Sequence, residues 1–387
     1  MRMLAARLVL IAAVLGVPVA APATEGGFTQ AGLDAIEGLI DGAVRDGRIP
    51  SAIAMLARDG RIVWLHTAGE MGPGIPMRED AIIPLASVGK MHTAVAAMIL
   101  VERGVIALDD PVSRFIPEFA KLSPAAPMTV WHLLTHTGGL TVSGDDFWTA
   151  WNAHSERTTA TDFARALAAL PLQAPPGEKY DYGQTGASYE VLGAVIEIAS
   201  GKTLEKFMTE DLFGPLGLND THFYLPADQA SRMPAFYRKV DGTLKLERPH
   251  GQDHPRSTFF HGGGGVKSSP QDVARFSRLF LDGGAVDDVR ILRHTTVATM
   301  MSDQIGARTT FPGGLSWGFG AAVRVAAPGV VTQYGWSGGG YATLIIDLRE
   351  RTTAYFAFPL MPPGDNALLA EFRRLVREAS SSVAAAP

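Results

Sequence analysis

The sequence predicts a mixed α/β fold of the α+β kind: an antiparallel sheet flanked by helices, built from both chain ends, with a mainly helical region inserted between them. Three observations carry this. Near the start, two strand patterns, Ser51 to Leu56 and Arg61 to Gly69, meet through Asp59-Gly60, a dipeptide that favours the tight turn of a hairpin. Near the end, four strand patterns follow one another: Gly318 to Val325, Val330 to Trp336, Ala342 to Asp347 and Thr352 to Pro359. In between, from about Asp110 to Thr258, helices and loops prevail with few strand patterns. The simplest assembly is one two-lobed domain, with an α/β lobe over about 28–110 and 259–380 and a helical lobe over about 111–258.

The elements follow in order. Arg2 and Arg7 precede an apolar run from Leu8 to Ala20 and the small triplet Ala21-Pro22-Ala23. A basic start, a short apolar core and an A-x-A site are the layout of a secretory signal peptide. The run is shorter than the roughly 20 residues needed to span a bilayer. Cleavage after Ala23 is therefore expected, leaving residues 24–387 periplasmic or secreted, with no stable membrane span. Residues 29–46 carry Leu33, Ile36, Leu39, Ile40 and Val44 at helical spacing. After the hairpin, a helical pattern runs from about Ser87 to Arg103 and stops at Gly104. Tyr189 to Ser200 and Leu204 to Leu212 are the clearer helices of the inserted region. Ser269-Pro270-Gln271-Asp272 combines an S-x-x-D capping pattern with proline at the first helical position, ahead of Val273, Phe276, Leu279 and Phe280. Ala367 to Ala379 reads as a closing helix.

Composition narrows the function. The 387 residues are 47% apolar and 19% charged, which suits a globular chain. The formal net charge is −5 and no dense Lys/Arg cluster occurs, so there is no footprint for nucleic acid. Without a single cysteine, neither disulfides nor thiolate chemistry is available.

Ser87-Val88-Gly89-Lys90 fits S-x-x-K. At a helix start, positions i and i+3 share a face, so the amine can reach the hydroxyl. A serine hydroxyl becomes an effective nucleophile only when a neighbour accepts its proton. Four letters alone are a weak signal, because a serine three before a lysine commonly marks only a helix start. Further along, Thr129-Val130-Trp131-His132-Leu133-Leu134-Thr135-His136-Thr137-Gly138-Gly139-Leu140 resembles the TVRHLLTHTSGL signature of the β-lactamase-like serine hydrolases. That family contains class C β-lactamases, D-amino-acid-specific peptidases and family VIII carboxylesterases. Pro176-Gly177 through Tyr180-Asp181-Tyr182 to Leu192-Gly193 resembles its second active-site region. The run from Gly262 to Asp272 resembles its GGGGLxSTAxD turn, and Gly335-Trp336-Ser337-Gly338-Gly339 sits where its third motif lies. The resemblance spans about residues 30 to 375 and implies a β-lactamase/transpeptidase-like fold. It implies Ser87 as nucleophile, Lys90 as its base and Tyr182 as the phenol that relays a proton to the leaving group. The backbone N–H groups of Ser87 and Gly339 would form the oxyanion hole, with Gln184, Trp336, Ser337 and Gly338 lining the substrate site.

Three departures qualify it. Tyr182-Gly183-Gln184 replaces Tyr-Ser-Asn, the gap from Tyr182 to Leu192-Gly193 is about two residues longer, and Trp336 stands where β-lactamases and peptidases carry Lys or His. An indole has one N–H donor and no positive charge, so the usual carboxylate anchor is gone. This resembles the W-G-G form of some family VIII esterases.

Other signals fall away. Gly335 to Gly339 also fits G-x-S-x-G, but that elbow needs a histidine after the serine, and the last histidine here is His294. His132 and His136 lack the glutamate and third ligand of a zinc site, so a structural role is expected and no metal. Gly262 to Gly265 lacks the G-K-[ST] form of a phosphate loop. His261 either lines the cleft or sits in a surface loop. No motif calls for a cofactor. The expectation is an exported serine hydrolase working through an acyl-enzyme on a small-molecule ester or amide, with carboxylesters favoured. The alternatives are a β-lactamase, D-aminopeptidase or DD-peptidase and, from another class, a non-catalytic binder of peptidoglycan or a protein partner.

Overall fold

The computed structural model describes residues 26–140, 144–154, 158–183, 187–308 and 314–381. The expected signal segment and Gln184 lie outside the described residues. Thr29 caps α1 (Gln30–Arg45) by accepting from the Gly32 N–H, and Leu33, Ile36, Ile40 and Ala43 form its buried stripe. β1 (Ser51–Arg58) and β2 (Arg61–Gly72) make the expected hairpin. Asp59 and Gly60 both take positive φ, 50° and 74°, the turn whose twist matches paired strands. Two short strands follow, β3 (Ile75–Pro76) and β4 (Ile83–Pro84).

The helix expected from Ser87 divides in two. A 3-10 turn, Ala86–Gly89, leads into α2 (Lys90–Glu102), in which every residue from Lys90 to Leu100 is buried. A helix without a polar face belongs in the middle of the molecule. The inserted region contains α3 (Val130–Leu134), α4 (Asp145–His154), α5 (Ala160–Leu167), α6 (Ser188–Ser200), α7 (Leu204–Met208) and the single turn α8 (Gly214–Leu216). The pattern over Leu204 to Leu212 is thus helical only to Met208, with a wider π-type turn over Thr209–Phe213. The region also holds a hairpin that was not anticipated, β5 (Phe236–Val240) with β6 (Thr243–Arg248), turning at Asp241-Gly242 with both φ positive.

Next come β7 (Lys267–Ser268), which pairs with β4, and α9 (Pro270–Leu281), capped by Ser269 accepting from the Asp272 N–H. A small hairpin, β8 (Ala285–Val286) with β9 (Val289–Arg290), precedes α10 (His294–Met300). The expected strand from Gly318 to Val325 begins only at Ala322, and Gly318–Ala321 is a turn between β10 (Leu315–Trp317) and β11 (Ala322–Ala327). Gly320 has φ +94°, and a Cβ there would lie 2.8 Å from that of Ala94, so the turn rests directly on α2. β12 (Val330–Gly338), β13 (Ala342–Asp347), β14 (Thr352–Ala357) and α11 (Asn366–Ser381) complete the chain.

The main sheet is antiparallel, in the order β10-β11-β12-β13-β14-β1-β2-β3. The two chain ends join where β14 pairs with β1, from Ile53 opposite Ala357 to Arg58 opposite Thr352. Alternation along β14 separates the faces. Phe356 packs on Phe372 of α11, whereas the Thr353 hydroxyl donates to Ser277 of α9. α1 lies beside α11, tied by the Thr29 N–H to Ala379 O.

Candidate active site

Ser87 occupies the 3-10 turn ahead of α2, and several segments clamp that turn. The β4–β7 ladder delivers the chain to it, continued by the Leu85 N–H to Val266 O. Ala86 has φ +47°, a left-handed conformation that costs a non-glycine residue energy and persists only where its surroundings fix it. Part of that fixing comes from Gly338 at the end of β12, where a Cβ would sit 2.4 Å from Ser87 N. Only glycine allows this approach. It also carries the Gly339 backbone to the serine, and Gly339 and Ser87 line one pocket.

Lys90, one helical turn on, is fully buried. Its Nζ donates to Ser87 Oγ at 3.0 Å and to Gly263 O at 2.7 Å. The glycine run is therefore a scaffold: Gly262 O accepts from the Thr93 hydroxyl at 2.6 Å, and the Gly263 N–H donates to Glu190 Oε1 at 3.2 Å. Cβ atoms at Gly262 and Gly263 would lie 2.3 Å from Tyr189 O and 2.6 Å from Glu190 Oε1.

Tyr182 comes to Lys90 through its ring, whose centroid is 5.1 Å from Nζ. Its hydroxyl accepts from Trp336 Nε1 at 3.1 Å. The expected meeting of the phenol with the Ser87–Lys90 pair is thus a ring-over-amine contact rather than a direct hydrogen bond. Trp336 packs on Tyr182 and Trp317, orients the phenol, and is not among the walls of the pocket beside Ser87.

His136 sits within this aromatic group, with ring centroids 4.7 Å from Tyr182 and 5.0 Å from Tyr189. It is buried, and neither ring nitrogen has a hydrogen-bond partner. Desolvation, then the Lys90 charge, hold its imidazole well below the ordinary pKa, so it is neutral. His132 caps α3, its Nδ1 accepting from the Thr129 N–H. Both histidines therefore have structural positions in the turn.

Two further expected lining residues, besides Trp336, are corrected. Ser337 alternates with Trp336 on β12, so its side chain points to the opposite face. There its hydroxyl accepts from Arg373 of α11 at 2.6 Å and pairs with Thr343, away from the substrate side. Gly338 acts through its closeness to Ser87 N and is likewise absent from the pocket walls.

The pocket beside Ser87 has a volume of about 560 Å³. Glu190 and His261 line it near the nucleophile, while Tyr341 and Arg248 form another part of its wall. Glu190, Arg248 and His136 were not among the residues singled out for chemistry. Glu190 left one usable signal: a carboxylate directly after Tyr189 at the start of a largely apolar helical run.

The family model described as Beta-lactamase matches residues 36–378. The chain belongs to the β-lactamase family. Among its relatives, Esterase EstB of Burkholderia gladioli is 32% identical over 327 residues, covering 74% of this chain and 78% of the other. Penicillin-binding protein 4 of Amycolatopsis lactamdurans is 30% identical over 281 residues, covering 71% of each. In fold, the chain is similar to the solved structure of EstCE1, a hydrolase with promiscuous acyltransferase activity. The TM-score is 0.76 at 24% identity, over 91% of this chain and 98% of that one. The β-lactamase family thus accounts for the antiparallel sheet, the flanking helices and the order of the motifs. Among the described residues, no helix is long and apolar enough to cross a membrane.

Proposed function

We propose that the protein is an exported serine hydrolase that cleaves small carboxylic esters through an acyl intermediate on Ser87. The observation that carries this reading is the contact of a fully buried Lys90 with Ser87 Oγ at 3.0 Å. Lys90 Nζ takes the hydroxyl proton as Oγ attacks the acyl carbon, and the Ser87 and Gly339 N–H groups hold the developing oxyanion. Collapse of that species breaks the bond to the leaving oxygen. This oxygen receives the proton from the Lys90 ammonium by way of the Tyr182 phenol, once the phenol, held by the Trp336 N–H, comes within hydrogen-bond reach of Lys90 in the ester-bound state. Water then repeats the sequence, giving its proton to the same pair and releasing the acid and free Ser87.

Ester cleavage is favoured over β-lactam or peptide cleavage because Trp336, where a cation would bind a substrate carboxylate, spends its single N–H on Tyr182. The relative named Esterase EstB supports the same choice. The penicillin-binding relative keeps amide chemistry as the second reading. Rapid labelling of Ser87 by a fluorescent penicillin would favour that second reading.

The test of the first is Ser87→Ala assayed on a 4-nitrophenyl ester of a short acid. Activity falls at least a thousandfold while the thermal transition is unchanged; retained turnover refutes the assignment. Export rests on Arg2, Arg7, the apolar run and Ala21-Pro22-Ala23. Expressed in a Gram-negative host, the full chain should reach the periplasm or medium with its N-terminus at Thr24. Uncut chain confined to the cytoplasm would contradict export.

A further inference from the structure

Arg248 ends β6 and lines the pocket that contains Ser87. Its Nε and Nη1 are buried with no hydrogen-bond partner, and its guanidinium carbon lies 4.7 Å over the Phe236 ring. The lysine and the other arginine in the same wall are matched. Lys267 pairs with Asp253 at 3.2 Å and Arg256 with Glu205 at 3.3 Å. Asp253 is further occupied by the N–H groups of Leu225 and His254, and the adjacent Glu247 is bound by Arg238. Among the described residues, no carboxylate forms an ion pair with Arg248.

A half-desolvated cation with no directly bound anion is costly unless something supplies one; the Asp253 and Glu247 charges act on Arg248 only without an ion-pair contact, and its side chain is part of the reaction-pocket wall. We infer that Arg248 is a substrate-anion subsite and that the preferred ester carries a carboxylate remote from the scissile bond. This deepens the reading of Ser87 as an esterase nucleophile and rests on it.

Two neighbours set where the carboxylate lies. Glu190, beside the Lys90–Gly263 contact, repels a negative charge placed close to the reacting carbonyl. The Tyr341 ring lies against Gly339, 2.4 Å from where a Cβ would be, and its phenol feels the Arg248 charge. Tyr341 thus neighbours the oxyanion position and feels the Arg248 side chain on the same wall of the pocket. A short dicarboxylic hemiester, or an acyl ester of a hydroxy acid, carries a second charge remote from its scissile bond.

The experiment compares two matched pairs with the mature protein: the mono-4-nitrophenyl ester of adipic acid against 4-nitrophenyl hexanoate, and 6-acetoxyhexanoate against hexyl acetate. The wild type should prefer the anionic member of at least one pair. Arg248→Met should then lose ten- to hundredfold in kcat/KM for that member, mainly through KM. Both neutral esters should stay within about twofold, which also reports that the variant folds, and Arg248→Lys should recover part of the loss. No anionic preference in the wild type, or equal loss on charged and neutral esters, overturns the subsite. The reading of Ser87 fails separately, if Ser87→Ala still turns over the neutral esters.

Discussion

Removing one oxygen separates the two contributions of Tyr182. Tyr182→Phe keeps the ring that packs on His136, Trp317 and Trp336 and stands over Lys90, but it deletes the hydroxyl bonded to Trp336. A fall in kcat of roughly a hundred- to ten-thousandfold is expected, as for loss of a general acid, with the melting temperature nearly unchanged. A variant within threefold of wild type would remove the phenol from the mechanism. Spacing within one turn pointed to Ser87 and Lys90, and the resemblance pointed to Tyr182; the structure brings the three side chains together around one amine. Arg248 was not legible and Glu190 left only a faint signal, because isolated charges gain meaning only when β6, α6 and the Gly262–Gly265 run close around one pocket. Ser337 shows an available rule left unused: adjacent strand residues face opposite sides, so it could not share a face with Trp336.

At the level of elements, the site depends on how closely the end of β12 meets the turn before α2. Gly338→Ala would place a methyl 2.4 Å from Ser87 N and 2.8 Å from the Ala86 Cβ. The turn must then shift, at a stability cost of about 1–3 kcal/mol. Activity should fall further, by tenfold or more, since small misplacements of reacting groups are costly. Unchanged kcat/KM in this variant would show that the contact does not position Ser87. The hairpin at Asp59-Gly60 was readable because a strong turn dipeptide joined two alternating runs. The same dipeptide type at Asp241-Gly242 was passed over because β5 and β6 are short, mostly exposed and rich in charge. The turn at Gly318–Ala321 reads as strand by composition, and its bend rests on the Gly318 N–H to Ala321 O bond, the Phe319 N–H to Met300 O bond and the approach of Gly320 to α2.

Across the whole molecule, the fold makes stability depend on acid. Burial holds His92 down at about 3 and keeps His136 neutral, with His132 and His222 shifted the same way. Below the ordinary histidine value of 6.5, the unfolded chain binds protons that these folded sites refuse, so stability falls with falling pH. Two buried carboxyls oppose this. Asp272, pushed up to about 6 from 3.8, and Glu197 hold protons in the folded state that the unfolded chain has released. Four histidines outweigh two carboxyls, at about 1.4 kcal/mol per pH unit for each net proton. The melting temperature should therefore drop steadily from pH 6.5 to 4.5, and a flat or rising profile would contradict the balance. The two-ended sheet was visible in the sequence because strand patterns cluster at both termini. That β14 pairs with β1 was not, since pairing partners depend on the closed fold.

The central claim is that acyl transfer passes through Ser87, and intact-mass spectrometry of the protein mixed with an activated ester tests it most directly. On rapid acid quenching, the mass should rise by one acyl group, fragmentation should place it on Ser87, and Ser87→Ala should stay unlabelled. Turnover of the ester by the wild type with no acylated species under any quench, or with the acyl group on another residue, would contradict the account.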